Sequence, residues 1–241
     1  MLTTRFHTLL LFGFLSFFAL FHAKPAAAEP VELNLFPKNA TFDGLDEQLF
    51  PLGWSKNGEH LAVLSARPNE AADERTWECR ILDLVADKSL HTETFYIEGS
   101  GGIAPFWQAN GAKVSALLDT FGIEFDSKPF QLHTFPALAG KYRGESYETV
   151  LTRGYAEEPL FGYRGVKHLK LALSNQEGKS KTILDLNYEE FFPIAAGTIG
   201  YLPNPQGNRI AVLLALTKRG YEGPPHVRTL LVVGARIGEK F

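Results

Sequence analysis

The sequence has a single cysteine, Cys79, so the chain cannot form an intramolecular disulfide. Its formal net charge is only −3 and it has no basic run, which argues against nucleic acid or an anionic membrane surface as a partner. The apolar run Leu9 to Phe21 has 13 residues, whereas a membrane-spanning helix needs about 20. We therefore expect neither a disulfide-stapled scaffold nor a spanning helix.

The N-terminus has the pattern of a secretory signal peptide. Arg5 supplies a basic start, the apolar run follows, and Ala26-Ala27-Ala28 offers the small residues of a cleavage site. We predict a signal peptide over residues 1–28, cleavage near Ala28, and a periplasmic or secreted protein without membrane insertion after cleavage; the alternative is a retained N-terminal anchor. Cleavage removes Arg5 and Lys24 and no acidic residue, which takes the net charge from −3 to −5. An exported chain with one cysteine suits a bacterial periplasm.

Local catalytic and cofactor-binding motifs are missing. There is no Gly-x-Ser-x-Gly nucleophile elbow, no phosphate-binding loop and no histidine pair at metal-ligand spacing. Gly99 to Ala104 fits a relaxed dinucleotide fingerprint, but no parallel βαβ pattern surrounds it, so we interpret it as a turn. Glu157-Glu158 and Glu189-Glu190 are predicted to be solvated, because adjacent strand residues point to opposite faces. We expect no cofactor, no metal and an inert, buried Cys79.

One stretch of the sequence occurs twice. Leu52 to Leu64 reads LGWSKNGEHLAVL, and Tyr201 to Leu213 reads YLPNPQGNRIAVL with a turn glycine and an Ala-Val-Leu strand at matching offsets. Asn57-Gly58 can adopt the positive φ of a tight turn, and the apolar strand that follows each turn is predicted to be buried on both faces. Each copy is therefore predicted to be part of a β-hairpin, over about residues 49–86 and 199–237, and the two hairpins to be neighbours in one sheet.

The first copy, from GWSKNGEHLAVLS to CRILDL, resembles the repeat of TolB-type, WD-like β-propellers, whose pattern is roughly Trp-Ser-Pro-Asp-Gly, a strand, and a strand ending in Asp-Leu. Lys56 and Asn57 replace the usual Pro and Asp, and the second copy keeps Pro205, Gly207 and the strand. The likeness covers about 70 of 241 residues. Arg209 to Ile237 further resembles predicted secreted bacterial proteins. Neither resemblance implies a catalytic residue.

The remaining pattern predicts a mainly β protein with one helix. We expect strands in Val31–Phe36, Glu78–Leu84, Thr92–Glu98, Phe130–Phe135, Tyr147–Thr152, Val166–Leu173, Lys181–Asn187 and Val227–Ile237, and a short helical turn over Tyr188–Phe192. Apolar residues at helical spacing predict a helix over about 105–121, with Pro105 in its first turn and Gly122 as its stop. Residues 29–241 are predicted to form one β-rich domain of antiparallel sheets, either a sandwich or an incomplete propeller-like fold.

Two loops share an Arg-Gly-Tyr sequence. Arg153-Gly154-Tyr155 precedes Glu157-Glu158-Pro159, and Arg219-Gly220-Tyr221 precedes Glu222-Gly223-Pro224. Tyr163-Arg164 adds a third aromatic–cation pair. Exposed Tyr and Arg are favoured contact residues, so these six side chains are candidate binding residues, unless the loops are ordinary hairpin tips whose Tyr covers the core.

These observations favour an exported, non-enzymatic binding protein of the bacterial envelope, with another envelope protein as its partner. The alternatives are an exported hydrolase whose active site is assembled from distant residues and a purely structural role. A deep pocket with several carboxylates, or a His–carboxylate pair with shifted pKa values, would favour the hydrolase. A Tyr/Arg loop surface would favour the binding protein.

Overall fold

A computed structural model describes residues 28–35, 44–68, 75–86, 88–97, 101–126, 128–138, 146–220 and 222–238. Twelve strands and one helix follow one another as β1 (Gly44–Asp46), β2 (Gln48–Trp54), β3 (His60–Pro68), β4 (Arg75–Asp83), β5 (Lys88–Ile97), α1 (Ile103–Thr120), β6 (Ala137–Leu138), β7 (Ser146–Glu157), β8 (Arg164–Asn175), β9 (Ser180–Asn187), β10 (Ala195–Pro203), β11 (Arg209–Lys218) and β12 (His226–Arg236). The predicted mainly β fold with a single helix is confirmed. The predicted signal peptide lies, apart from Ala28, outside the described residues, as do Gly99, Ser100 and Tyr221.

The strands form three four-stranded sheets. Sheet I has the order β2-β3-β4-β5, sheet II the order β6-β7-β8-β9, and sheet III the order β1-β12-β11-β10. Neighbouring strands are antiparallel except β1, which runs parallel to β12. Sheet III therefore joins the first described strand to the last.

Helix α1 packs on one face of sheet I. Alternate residues of β3 and β4, among them Leu64, Trp77 and Ile81, meet Phe106 and Val114 of the helix in one buried cluster. Trp77 stacks on Phe106 with ring centroids 4.4 Å apart. Gly111 lets the Trp107 ring lie against the helix, since a Cβ at this position would come within 3.2 Å of that ring. The mid-helix glycine thus has a packing role.

Sheet III is the middle layer of the stack. Leu61 and Val63 from the opposite face of sheet I pack with Ala211 and Leu213 of β11. The other face of β11 contributes Ile210, Val212, Leu214 and Leu216 to a cluster with sheet II. Because β11 is buried on both faces, its continuous apolar sequence is explained. The layers therefore follow the order α1, sheet I, sheet III, sheet II.

The two copies of the repeated sequence have the same turn geometry. Ser55 N–H donates to His60 O and Asn204 N–H donates to Arg209 O, both at 3.0 Å. Gly58 and Gly207 close the turns with φ of 68° and 67°. The side chains correspond as well: Ser55 Oγ accepts from His60 N–H, and Asn204 Oδ1 accepts from Arg209 N–H. The sequence repeat is thus a repeat of hydrogen bonds.

The repeated hairpins belong to different sheets, so the prediction that they are neighbours in one sheet is wrong. They meet through their turns instead. Asn204 Nδ2 donates to Gly58 O at 3.2 Å, and Gln206 Nε2 donates to Lys56 O at 2.7 Å. The first and last described strands, β1 and β12, pair with each other instead. No turn joins them, so no local sequence pattern predicts this pairing.

Three other predictions of secondary structure are also wrong. The strand predicted over Val31–Phe36 is absent from residues 31–35, and Phe36 lies outside the described residues: Leu33 and Leu35 are buried in alternation, and Leu33 N–H donates to Leu49 O, but no ladder forms. Residues 130–135 contribute a single bridge, between His133 and Tyr201. Tyr188–Phe192 is a bend instead of a helical turn, with Phe191 at φ 54°. The predicted helix is confirmed, beginning at Ile103.

Candidate functional site

Three connections between strands converge on one surface. They are the tip of the β7–β8 hairpin, the β9–β10 loop and the start of the β11–β12 connection. The exposed side chains at this surface are strongly apolar: Leu160 is 54% exposed, Phe161 49% and Phe191 60%. Together with Tyr163 and Arg219, these residues are named the loop cluster below. Exposed apolar groups that lie together mark contact sites more often than isolated ones do.

Glu158 lies buried beneath the loop cluster, with 0% of its surface exposed. Its Oε2 accepts hydrogen bonds from Leu160 N–H at 2.9 Å and Phe161 N–H at 2.7 Å, and its Oε1 accepts from Phe191 N–H at 3.0 Å. Burial raises the pKa of this carboxyl, but the three backbone donors outweigh burial and hold the pKa below its ordinary value. The interpretation of Glu157-Glu158 as a solvated pair is therefore wrong for Glu158.

The β9–β10 loop is docked tightly on the hairpin. Tyr163 Oη donates to Phe192 O at 2.5 Å, and Val166 N–H donates to Pro193 O at 2.7 Å. A Cβ at Gly165 would fall 2.6 Å from Phe192 Cβ, so the two segments approach as closely as a glycine allows. Phe192 is consequently buried, while its neighbour Phe191 points its ring into solvent.

The structure brings Arg219 and Tyr163 together from distant parts of the sequence. The Arg219 guanidinium carbon lies 5.8 Å from the Tyr163 ring centroid and 5.6 Å from that of Phe161, which is cation–π distance. Burial, reinforced by the charge of Glu158, raises the pKa of the Tyr163 hydroxyl, and Arg219 opposes this shift. Two of the predicted residues thus occupy a single surface.

The other described candidates, Arg153, Tyr155 and Arg164, lie in strands of the β7–β8 hairpin. Arg153-Gly154-Tyr155 is paired with β8 inside strand β7, so its prediction as a loop is wrong. Arg164 stacks over Tyr155 at 5.7 Å. Arg153 instead links sheets II and III, since its Nε donates to Ala196 O at 2.7 Å, so part of its guanidinium has a structural role. Tyr221 is outside the described residues. Sequence reasoning missed Leu160, Phe161, Phe191 and Glu158.

The features that would favour a hydrolase are weakly developed in the described chain. A cavity of about 620 Å³ between α1 and the N-terminal segment is lined by Trp107 and Gln108 and carries one carboxylate, Glu29. His168 and Asp185 are 2.7 Å apart, but both side chains are exposed on the outer face of sheet II. Among the described residues, no three His, Cys, Asp or Glu side chains are grouped to hold a metal ion.

Cys79 is buried between sheet I and α1. Burial raises the pKa of its thiol to about 12, the charge of Glu93 adds to this shift, and Arg80 opposes it. A neutral, inaccessible thiol is a poor nucleophile. This environment agrees with the expectation of an inert cysteine.

The chain matches no known protein family, and no curated protein or solved structure is significantly similar to it. Within the described residues, no helix is both long and apolar enough to cross a membrane.

Proposed function

We propose that the protein is an exported, periplasmic, non-enzymatic interaction module that binds another protein of the bacterial envelope through the loop cluster. The observation that carries this proposal is the convergence of Phe161, Phe191 and Arg219, which come from three separate connections, on one exposed surface. Aromatic and arginine side chains are the types that contribute most to protein–protein contacts.

The shape of the surface favours a protein over a sugar. The Phe161 and Phe191 rings have centroids 6.2 Å apart and are tilted by 51°, so they do not offer the flat platform on which a sugar ring stacks. Leu160 extends the apolar area with an aliphatic side chain. A tilted, protruding apolar group fits a groove in a partner protein, as anchor residues of interfaces do.

The charged rim also fits a protein partner. Charged side chains of both signs lie in or next to the same three connections: Glu189, Glu190 and Glu222 are exposed, and Arg164 and Arg219 lie over the Tyr155 and Phe161 rings. A rim of mixed sign has no strong attraction for a polyanion, whereas polar rims around an apolar centre are usual in protein interfaces.

The test is site-specific cross-linking in the host envelope. A photoreactive residue in place of Leu160 should give a discrete adduct, and one in place of Val85, which is 52% exposed in the turn between β4 and β5, should not. The adduct should be lost in the double variant Phe161→Ser/Phe191→Ser and kept in Tyr96→Ser, which removes another exposed aromatic ring. An adduct that survives the double variant would refute the proposed surface, and the hydrolase would then be tested with substrates.

We also infer that the two repeated hairpins are diverged copies of a TolB-type repeat. The shared hydrogen bonds of the Ser55 and Asn204 turns support this relationship. Binding residues are often located in loops that a rigid scaffold positions, and the loop cluster on these sheets fits that arrangement.

A further inference from the structure

We infer that Glu158 is the positioning residue of the loop cluster, a carboxylate latch that holds the Phe161 and Phe191 rings beside each other on the surface. This inference rests on the proposed function for its biological meaning, but its geometry can be tested without a partner. It assigns to one buried side chain the arrangement of two loops that are 30 residues apart in the sequence.

The latch has one oxygen for each loop. Oε2 accepts from the Leu160 and Phe161 amides and so fixes the hairpin tip, and Oε1 accepts from the Phe191 amide and so fixes the β9–β10 loop. A single carboxylate can satisfy all three donors because both of its oxygens are acceptors. A glutamine cannot, since its amide nitrogen would face an N–H donor.

Phe191 has a backbone conformation that phenylalanine disfavours, so contacts with its surroundings must stabilise it. Phe191 has φ of 54°, in the left-handed region that phenylalanine disfavours. Such a conformation persists only where its surroundings determine it. The bond to Glu158 and the burial of Phe192 are the surroundings that do so here, and together they turn the Phe191 ring outward.

The charged groups near Glu158 do not replace the three amides as its partners. The charge of Glu158 raises the pKa of Tyr163 and the charge of Arg219 lowers it. The adjacent Glu157 is exposed. Among the described residues, no arginine or lysine pairs with Glu158, so its contacts are the three amides. Replacing Glu157 with glutamine therefore provides a matched control: the same chemical change, one residue away, without the latch.

The test compares Glu158→Gln with Glu157→Gln by amide hydrogen exchange and by the cross-link at position 160. Glutamine keeps one acceptor oxygen, so we expect exchange at the Phe161 amide, at the Phe191 amide or at both to accelerate at least tenfold in Glu158→Gln. The β11 amides should stay unchanged, and Glu157→Gln should show no acceleration at Phe161 or Phe191. The yield of the adduct should fall at least fivefold in Glu158→Gln alone.

The outcomes separate the latch from the proposed function. Unchanged exchange at both Phe161 and Phe191 in Glu158→Gln would overturn the latch, as would faster exchange with a full yield of adduct. Faster exchange in a protein whose wild type gives no adduct would support the latch and overturn the proposed function. If Glu158→Gln does not fold, the wild-type protein provides the test by an NMR titration towards acidic pH, which protonates Glu158. The amide signals of Leu160, Phe161 and Phe191 should then shift with one common midpoint, and different midpoints would overturn the latch.

Discussion

The contact between the two repeated turns can be tested through Asn204, whose side chain is buried with 3% of its surface exposed. Its Oδ1 accepts from the Asn208 and Arg209 amides at 3.1 Å each, and its Nδ2 donates to Gly58 O at 3.2 Å. Asn204 thus shapes its own turn and joins sheet III to sheet I. Replacing it with alanine removes both functions.

The expected loss of stability follows from the groups left without partners. Asn204→Ala deprives three backbone groups of a hydrogen bond, and each such loss costs about 1 kcal/mol. We therefore expect the free energy of unfolding to fall by about 3 kcal/mol. Asn204→Ser should cost about half as much, because a serine oxygen at the matching position, in Ser55, already accepts from the His60 amide. Gln206→Ala, which removes one exposed bond to Lys56 O, should cost less than about 1 kcal/mol.

Urea unfolding of residues 29–241, followed by the fluorescence of the three tryptophans, measures these differences. The denaturant dependence should stay the same in all four proteins, so that the midpoints report stability alone. A loss for Asn204→Ala no larger than that for Gln206→Ala would refute the reasoning, since it would show that the buried turn contact contributes no more than an exposed one.

The other predictions use the same protein. Gly58→Ala should lose at least twice as much stability as Gly178→Ala: both glycines have positive φ, but a Cβ at Gly58 would lie 2.1 Å from Gln206 Oε1, whereas Gly178 faces open space, and equal losses in urea would contradict this. The Cys79 thiol, with its pKa raised to about 12, should react with a thiol reagent at pH 8 only when the protein unfolds. Because the unfolded thiol ionises first, stability should decrease as the pH rises from about 9 towards 12; rapid labelling of the native protein would contradict burial. Phe191→Asn should raise stability by about 0.5–1 kcal/mol, since asparagine tolerates positive φ, and should weaken the cross-link at position 160; a loss of stability would argue against strain at this residue.

Local sequence patterns predicted the elements but not their assembly. Strand β11 and helix α1 follow from an unbroken apolar run and from apolar residues at helical spacing, and each of these patterns is complete within one segment of the sequence. The pairing of β1 with β12 depends on residues about 180 positions apart, and no turn signals it. The alternation of Leu33 and Leu35 suggests a strand, but it arises because both side chains are buried beside sheet I. The segment forms one backbone hydrogen bond to β2, from Leu33 to Leu49, and no ladder.

The site was predicted in part for a similar reason. The recurrence of Arg and Tyr indicated Tyr163 and Arg219. The other residues that define the surface were missed because their exposure is unusual for their residue types. Phe161 and Phe191 are exposed and Glu158 is buried, whereas apolar side chains are usually inside and lone carboxylates outside. Leu160-Phe161-Gly162, an apolar pair at the tip of a hairpin, was the available signal.

Each of these inversions is unfavourable for folding when it is considered alone. Exposed phenylalanine rings forgo burial, a left-handed Phe191 costs about 1 kcal/mol, and a buried carboxylate must recover its lost hydration from protein donors. In this protein the three features coincide, and the buried carboxylate bonds to the backbone of both residues whose rings are exposed. A fold selected for stability alone would replace all three with a polar turn. Their connection through Glu158 therefore supports the proposed contact with a partner, in which burial of the rings would supply the free energy that folding alone does not gain from them.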